Sequence, residues 1–222
     1  MFSFPKTERG LRSRVIRYRA LLTQEKRRYG GIHDGAGTRY VIFWLLFLLN
    51  DHVESKKYIR WYNKEFKGDT GEPVHKLCSA LIQYRMENLP EAKFALADLM
   101  LANQYFIPTL TEMPFRSRVR GFSNYSSATY AEAIPSEIVQ AISQSEKDWM
   151  KECFNSMVFR RLRKRYAEIE RELKTTVGVE KRKPLVRELF GLLEKHRSEI
   201  TANKPMERTP TRCALRRRSS AR

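Results

Sequence analysis

Residues 80–108, ALIQYRMENLPEAKFALADLMLANQYFIP, read as two short amphipathic helices joined by a tight turn. Leu77, Leu81, Tyr84 and Met86 make one apolar face at helical spacing, and Phe94, Leu96, Ala97, Leu99 and Met100 make another. Between them Glu87, Asn88, Leu89, Pro90 and Glu91 carry turn chemistry. Asn88 tolerates a left-handed or capping conformation, and Pro90 suits the first turn of a new helix, with an acid beside it in Glu91. Small side chains at Ala80, Ala92, Ala95 and Ala97 let two backbones approach closely. The stretch predicts an antiparallel helix hairpin.

Working outward, the N-terminal side supplies more helices. Leu11, Val15, Tyr18 and Leu22 recur at four, three and four, which predicts a basic amphipathic helix over residues 7–29, stopped by Gly30 and Gly31. After the loop GGIHDGAG, Thr38 is placed to cap an apolar helix over 39–49. That helix holds YVIFWLLFLL, ten residues or roughly 15 Å, about half of what spans a bilayer, so burial on all sides is the reading. Val53, Tyr58, Ile59, Tyr62 and Phe66 line a third helix, and Pro73 opens a fourth.

On the C-terminal side, two prolines and the run SNYSSAT predict an irregular connector over 106–127. Pro135 opens a helix with Ile138, Val139 and Ile142. The series Trp149, Met150, Phe154, Val158, Leu162, Tyr166, Ile169 and Leu173 predicts one continuous helical face. A turn over 175–184 leads to a last helix carrying Leu185, Leu189, Leu192, Leu193, His196 and Ile200. Beyond Thr201 apolar periodicity is lost, and the tail is expected to be disordered. No period-two pattern persists, so the class is all-α, with stacked antiparallel hairpins, basic C-terminal helices and a tail. The divisions are a basic helix and glycine loop (1–36), a helical core (37–159), a basic hairpin (160–200) and the tail (201–222).

The net charge of +18 is unevenly placed: residues 1–36 carry +6, 37–159 are neutral and 160–222 carry +12. Charge-based arguments about partners therefore apply to the flanks. The three cysteines, Cys78, Cys153 and Cys213, have no paired spacing, which suits a reducing compartment, and the opening residues have no apolar signal core. A cytoplasmic chain without a transmembrane segment is the expectation.

The order of pieces GTRYVIFWLLFLLND, HKLCSALIQYRMENLPEA, DLMLANQYFIPTL and YAEAIPSEIVQAISQSEKDWM, over about residues 37–149, resembles a group of bacterial tetratricopeptide-like helical repeat proteins. The turn glycine of that pattern is Glu87 here, and only one hairpin is close to the consensus. The resemblance implies a solenoid-like fragment that mediates protein–protein interaction as a scaffold, with no cofactor and no catalysis. Polar groove candidates on the hairpin are Lys76, Gln83 and Asn103.

Chemistry-bearing patterns are sparse. His75-x-x-Cys78 could place two metal ligands on one helix face, but His33, His52 and Cys153 lie at no recognisable spacing from it. The glycine loop lacks the strand before it and the Gly-Lys-Ser/Thr ending of a phosphate cradle. Glu168/Glu172 and Glu65/Asp69 sit among cations and read as helix surface. The alternative to the scaffold is nucleic-acid association through the basic ends: Arg160, Arg161, Arg163, Lys164 and Arg165 on one helix, with Arg216, Arg217 and Arg218 in the tail. The plain reading of that run is a solvated face paired with Glu168, Glu170 and Glu172.

Overall fold

A computed structural model describes residues 3–115 and 124–202. Part of the 106–127 connector, the tail beyond Ala202 and the tail arginines Arg216, Arg217 and Arg218 lie outside the described residues. The described residues are helical with no strand.

Helix α1 (Glu8–Tyr29) is capped by the Thr7 side chain, which accepts from Gly10 N, and ends at Gly30 in the left-handed region. Val15 and Leu22 bury its inner face on α2 (Thr38–Leu49). Helix α2 is the centre of the molecule: Ile42, Phe43, Leu45, Leu46 and Phe47 are all buried, each large side chain worth on the order of 1.5–3 kcal/mol. No described helix is long and apolar enough to cross a membrane. The Thr38 hydroxyl does not cap α2. Gly37 holds the cap position at φ 67°, and the Asp34 carboxylate accepts from Thr38 N and Arg39 N instead. Asp34 is far enough back in the loop to reach both free amides, which a residue inside the first turn cannot do.

Helix α3 (His52–Glu65) is capped by Asp51 and buries Tyr58 and Tyr62, while Val53 points to solvent. The hairpin is formed by α4 (Pro73–Arg85) and α5 (Leu89–Ala102), with Ala80, Ala92 and Ala97 fully buried where the backbones approach. Its turn differs in detail from expectation. Glu87, not Asn88, takes the left-handed conformation, at φ 58°, and the Asn88 side chain makes no cap bond.

The start of the expected irregular connector is helical: Phe106, Ile107, Pro108 and Leu110 bury their side chains in a short helix, α6 (Phe106–Leu110). A 3-10 turn (Asn124–Ser126), α7 (Ala128–Glu132) and α8 (Ser136–Gln140) follow. The long C-terminal face is split: α9 (Gln144–Asn155) ends at Ser156, whose extended backbone and hydroxyl then cap α10 (Met157–Thr175). Ser156 lies within the series expected to form one continuous face and is here a cap that starts a new helix.

Helix α11 (Val179–Lys195) begins six residues earlier than the turn reading allows and carries Pro184 within it. As the sixth helical residue Pro184 forfeits the one bond that an amide there would make to Glu180 O, and the surface around it is exposed. The chain breaks again at His196 before α12 (Arg197–Thr201), which lies against α5. Helices α10, α11 and α12 all touch α5, so the basic C-terminal helices rest on the hairpin.

Candidate functional site

A groove of about 210 Å³ lies between α3, α4 and α5. Helical spacing puts Ile59, Tyr62 and Asn63 on its first wall, His75, Lys76, Ser79 and Gln83 on its floor, and Glu91, Phe94, Ala95 and Asp98 on its second wall. Two of the three polar hairpin candidates fall there. Lys76 Nζ donates to Asp98 Oδ2 at 2.6 Å with its stem buried, so it is a floor residue already committed to a carboxylate. Gln83 accepts from Asn88 Nδ2 at 2.9 Å. Asn103 is elsewhere and buried: its Nδ2 donates to Tyr125 O and Ser127 O, and its Oδ1 accepts from Tyr105 N. It fastens the chain after α5 and offers nothing to a partner.

One end of the groove is closed by a polar network. Asp69 Oδ2 accepts from Arg39 Nε at 2.7 Å and from Tyr62 OH at 3.0 Å, and its Oδ1 accepts from Tyr40 OH at 2.7 Å and Gly71 N at 3.1 Å. Burial opposes the charge on Asp69, but these four donors outweigh it and hold the carboxyl at about 2. Burial and the same carboxylate push the Tyr40 phenol up to about 12.

His75 lies beside this network, ringed by Tyr40, Phe43 and Tyr62 with centroids 5.1, 4.4 and 5.1 Å away. Burial, aided by the Lys76 charge, drives its pKa down to about 3, so the ring is neutral at physiological pH. Its Nδ1 is buried with no hydrogen-bond partner, facing Gly71, where a Cβ would come within 2.7 Å of it. The i, i+3 pairing with Cys78 leads away from metal chemistry. Cys78 is sealed in the core and burial pushes its thiol well above the usual range, while Cys153 rises to about 12 for the same reason.

Two of the groove's residues, Phe94 and Glu91, also meet a cation of α12. Arg197 of α12 lies with Cζ 3.5 Å from the centroid of the Phe94 ring, and its Nη1 is 3.5 Å from Glu91 Oε1. A guanidinium on an aromatic face beside a carboxylate is the arrangement the groove wall favours.

The run of cations on α10 is not a collected face. Arg163 turns inward, donating to Phe154 O at 2.7 Å with its guanidinium 3.7 Å above the Phe154 ring; burial and nearby Arg160 lower its pKa to about 10. Arg165 is clamped by Glu188 at 2.7 and 2.6 Å and by Glu168 and Glu172. Arg161 reaches Glu199 at 2.7 Å. Arg160 and Lys164 are the exposed remainder, Lys164 with Glu168 only at 4.0 Å. Glu168 and Glu172 thus serve Arg165, and Glu65 serves Lys26 at 2.5 Å.

The glycine loop is likewise filled from within. Glu25 accepts from His33 N and Asp34 N, and Asp34 accepts from the first amides of α2, so those donors are satisfied by the chain's own carboxylates. Sequence reasoning passed over Phe94, Glu91 and Asp98 as groove residues; their recurrence at three and four along α5 was the available signal. No protein-family model, no curated protein and no solved structure matches this chain.

Proposed function

We propose that this protein is a non-enzymatic helical scaffold that binds a protein or peptide segment in the groove between α3, α4 and α5. The segment presents an arginine or lysine. Its aliphatic stem lies along Phe94 and Ile59, and its charged head meets Asp98 and Glu91. The observation that carries this reading is that Phe94 and Glu91 already take a guanidinium of the chain itself: Arg197, held by Glu194 at 2.9 Å, lies over the Phe94 ring with Glu91 3.5 Å away. The groove volume suits one or two side chains, so affinity comes from an anchor and its neighbours rather than from a large buried area. A tetratricopeptide-like hairpin, which the order of sequence pieces resembles, is consistent with such a role.

The test is a selection of random twelve-residue peptides on the immobilised full-length protein. Enriched peptides should carry Arg or Lys flanked by apolar residues, and should bind the Glu91→Gln/Asp98→Asn variant at least about tenfold more weakly, the scale of one charge-assisted bond. Enrichment of acidic peptides, or equal binding to the variant, would overturn the proposal.

A further inference from the structure

A second surface, on the opposite flank of α3, is built for a different partner. Arg12, Arg19 and Lys26 recur every seven residues along α1, so they stand in one row about 10.5 Å apart. Each is pinned by a carboxylate at the α3 side: Arg12 to Asp51 at 2.5 Å, Arg19 to Glu54 at 3.0 Å and Lys26 to Glu65 at 2.5 Å. The outer two pairs are lopsided. The Arg12 and Lys26 side chains are 46% and 48% exposed, whereas Asp51 and Glu65 are 16% and 15% exposed. Asp51 and Glu65 lie beneath their cations, and the exposed Glu8 also pairs with Arg12 at 2.9 Å, so the row is held in place by its ion pairs and the excess positive charge comes from the cations beside it.

Unpaired cations flank the row. Arg9 and Arg27 share the outward face of α1 with Ser13, Ile16 and Ala20, and Arg60 and Lys64 stand exposed on α3. None of these four cations has a carboxylate partner among the described residues. From Arg9 to Arg27 the row runs about 27 Å in a straight line.

We propose that this seam between α1 and α3 binds double-stranded nucleic acid through its phosphates. Cations spaced along a straight helix axis match a polyanion whose charges repeat along an axis, and the guanidinium groups of Arg12 and Arg19, already positioned by their ion pairs, lose little entropy on meeting it. A bilayer is the poorer match, because the apolar face of α1 is buried on α2 and its exposed aliphatic side chains, Ile16 and Leu21, are two scattered positions among cations. Single strands are also a poorer match. Base stacking needs exposed rings, and along α1 the exposed ring is Tyr29 at the far end. The interaction is directed at the backbone and independent of sequence.

The experiment is fluorescence anisotropy of the full-length protein with 20-base-pair DNA and RNA duplexes over a series of salt concentrations. Binding should weaken by about two to three orders of magnitude between 50 and 200 mM salt if some five phosphates are engaged. The exposed-residue variant Arg9→Gln/Arg27→Gln/Lys64→Gln should fold with an unchanged thermal midpoint, bind at least about tenfold more weakly at 100 mM salt and show a shallower salt slope. The control variant Arg160→Gln/Lys164→Gln should bind as the parent does. Absence of duplex binding at 50 mM salt overturns the proposal, as does an unchanged slope in the α1 and α3 variant. Equal competition by polyglutamate or by anionic lipid vesicles overturns the assignment to nucleic acid. Preference between the DNA and RNA arms decides which duplex is the ligand.

Discussion

Arg85, at the end of α4, donates through Nε to Glu146 Oε1 at 2.8 Å across 61 positions of sequence. The same guanidinium donates to Phe47 O and Ala141 O and lies 4.1 Å from the centroid of the Phe47 ring. One side chain therefore ties the ends of α2, α4 and α8 to the start of α9. Glu146 is almost fully buried and also completes the capping box of α9 with Ser143. Truncating Arg85→Ala leaves that carboxylate without its main partner and should cost about 3–5 kcal/mol in urea unfolding. Arg85→Lys keeps the charge but not the fork, and should recover less than half of the loss.

Glu87 sits at φ 58° in the hairpin turn, a conformation that costs a residue with a Cβ about 1–2 kcal/mol. Glu87→Gly removes that strain and adds unfolded-state entropy of about 0.5–1 kcal/mol, so a net gain of about 0.5–1 kcal/mol is expected. Glu87→Ala retains the strain and should give no gain. Equal stability of the two variants in denaturant melts would show that the turn is not held left-handed.

His75 makes the protein acid-sensitive. Its folded pKa, about 3, lies below the ordinary 6.5, so the unfolded chain takes up a proton that the folded chain refuses. The stabilisation is complete above about pH 6.5 and is lost as pH falls towards 3, by up to about 1.4 kcal/mol per pH unit. His75→Phe keeps a ring among Tyr40, Phe43 and Tyr62 and removes the titration. The variant's thermal midpoint should vary less between pH 7 and pH 5 than the parent's; parallel curves would count against this account.

Asp69 adds a second, lower acid step. Its carboxyl is held at about 2 against an unfolded value of 3.8, so its stabilisation is present above about pH 3.8 and disappears as pH falls through 2. At neutral pH, Asp69→Asn removes charge-assisted bonds to Arg39, Tyr40 and Tyr62, and a loss on the order of 2–3 kcal/mol is expected. Calorimetry of the variant between pH 2 and pH 4 should show a flatter acid limb.

Helices whose ends are written in local chemistry were legible in the sequence: Pro73 opens α4, Gly30 closes α1, and the apolar periodicity of α2 marks a buried element. The breaks at Ser156 and His196 were not, because the apolar face continues through them and only cap geometry reveals the change of axis. Polarity on the hairpin singled out Lys76, Gln83 and Asn103 alike; the first two line the groove and Asn103 is internal. A side chain's partners in space are invisible to spacing rules. Among the cations of α10, the local pairing of Arg165 with Glu168 and Glu172 was legible, whereas Arg161 and Arg165 also meet glutamates 38 and 23 positions away, which was not. The row on α1 depends on carboxylates 39, 35 and 39 positions downstream, so the heptad spacing of Arg12, Arg19 and Lys26 acquires meaning only once α3 is beside it.

The contact of α12 with α5 sets an order of events during synthesis. Lys93 and Arg197 find their partners, Ala202 and Glu91, 109 and 106 positions apart, so the flank of α5 carrying Phe94 has no cover when it leaves the ribosome. At about 5–20 residues per second, the missing hundred residues take roughly 5–20 s to arrive. For that interval both faces of the Phe94 ring are open, where in the finished protein Arg197 covers one of them, and a chaperone or a second nascent chain has its best opportunity to engage it then.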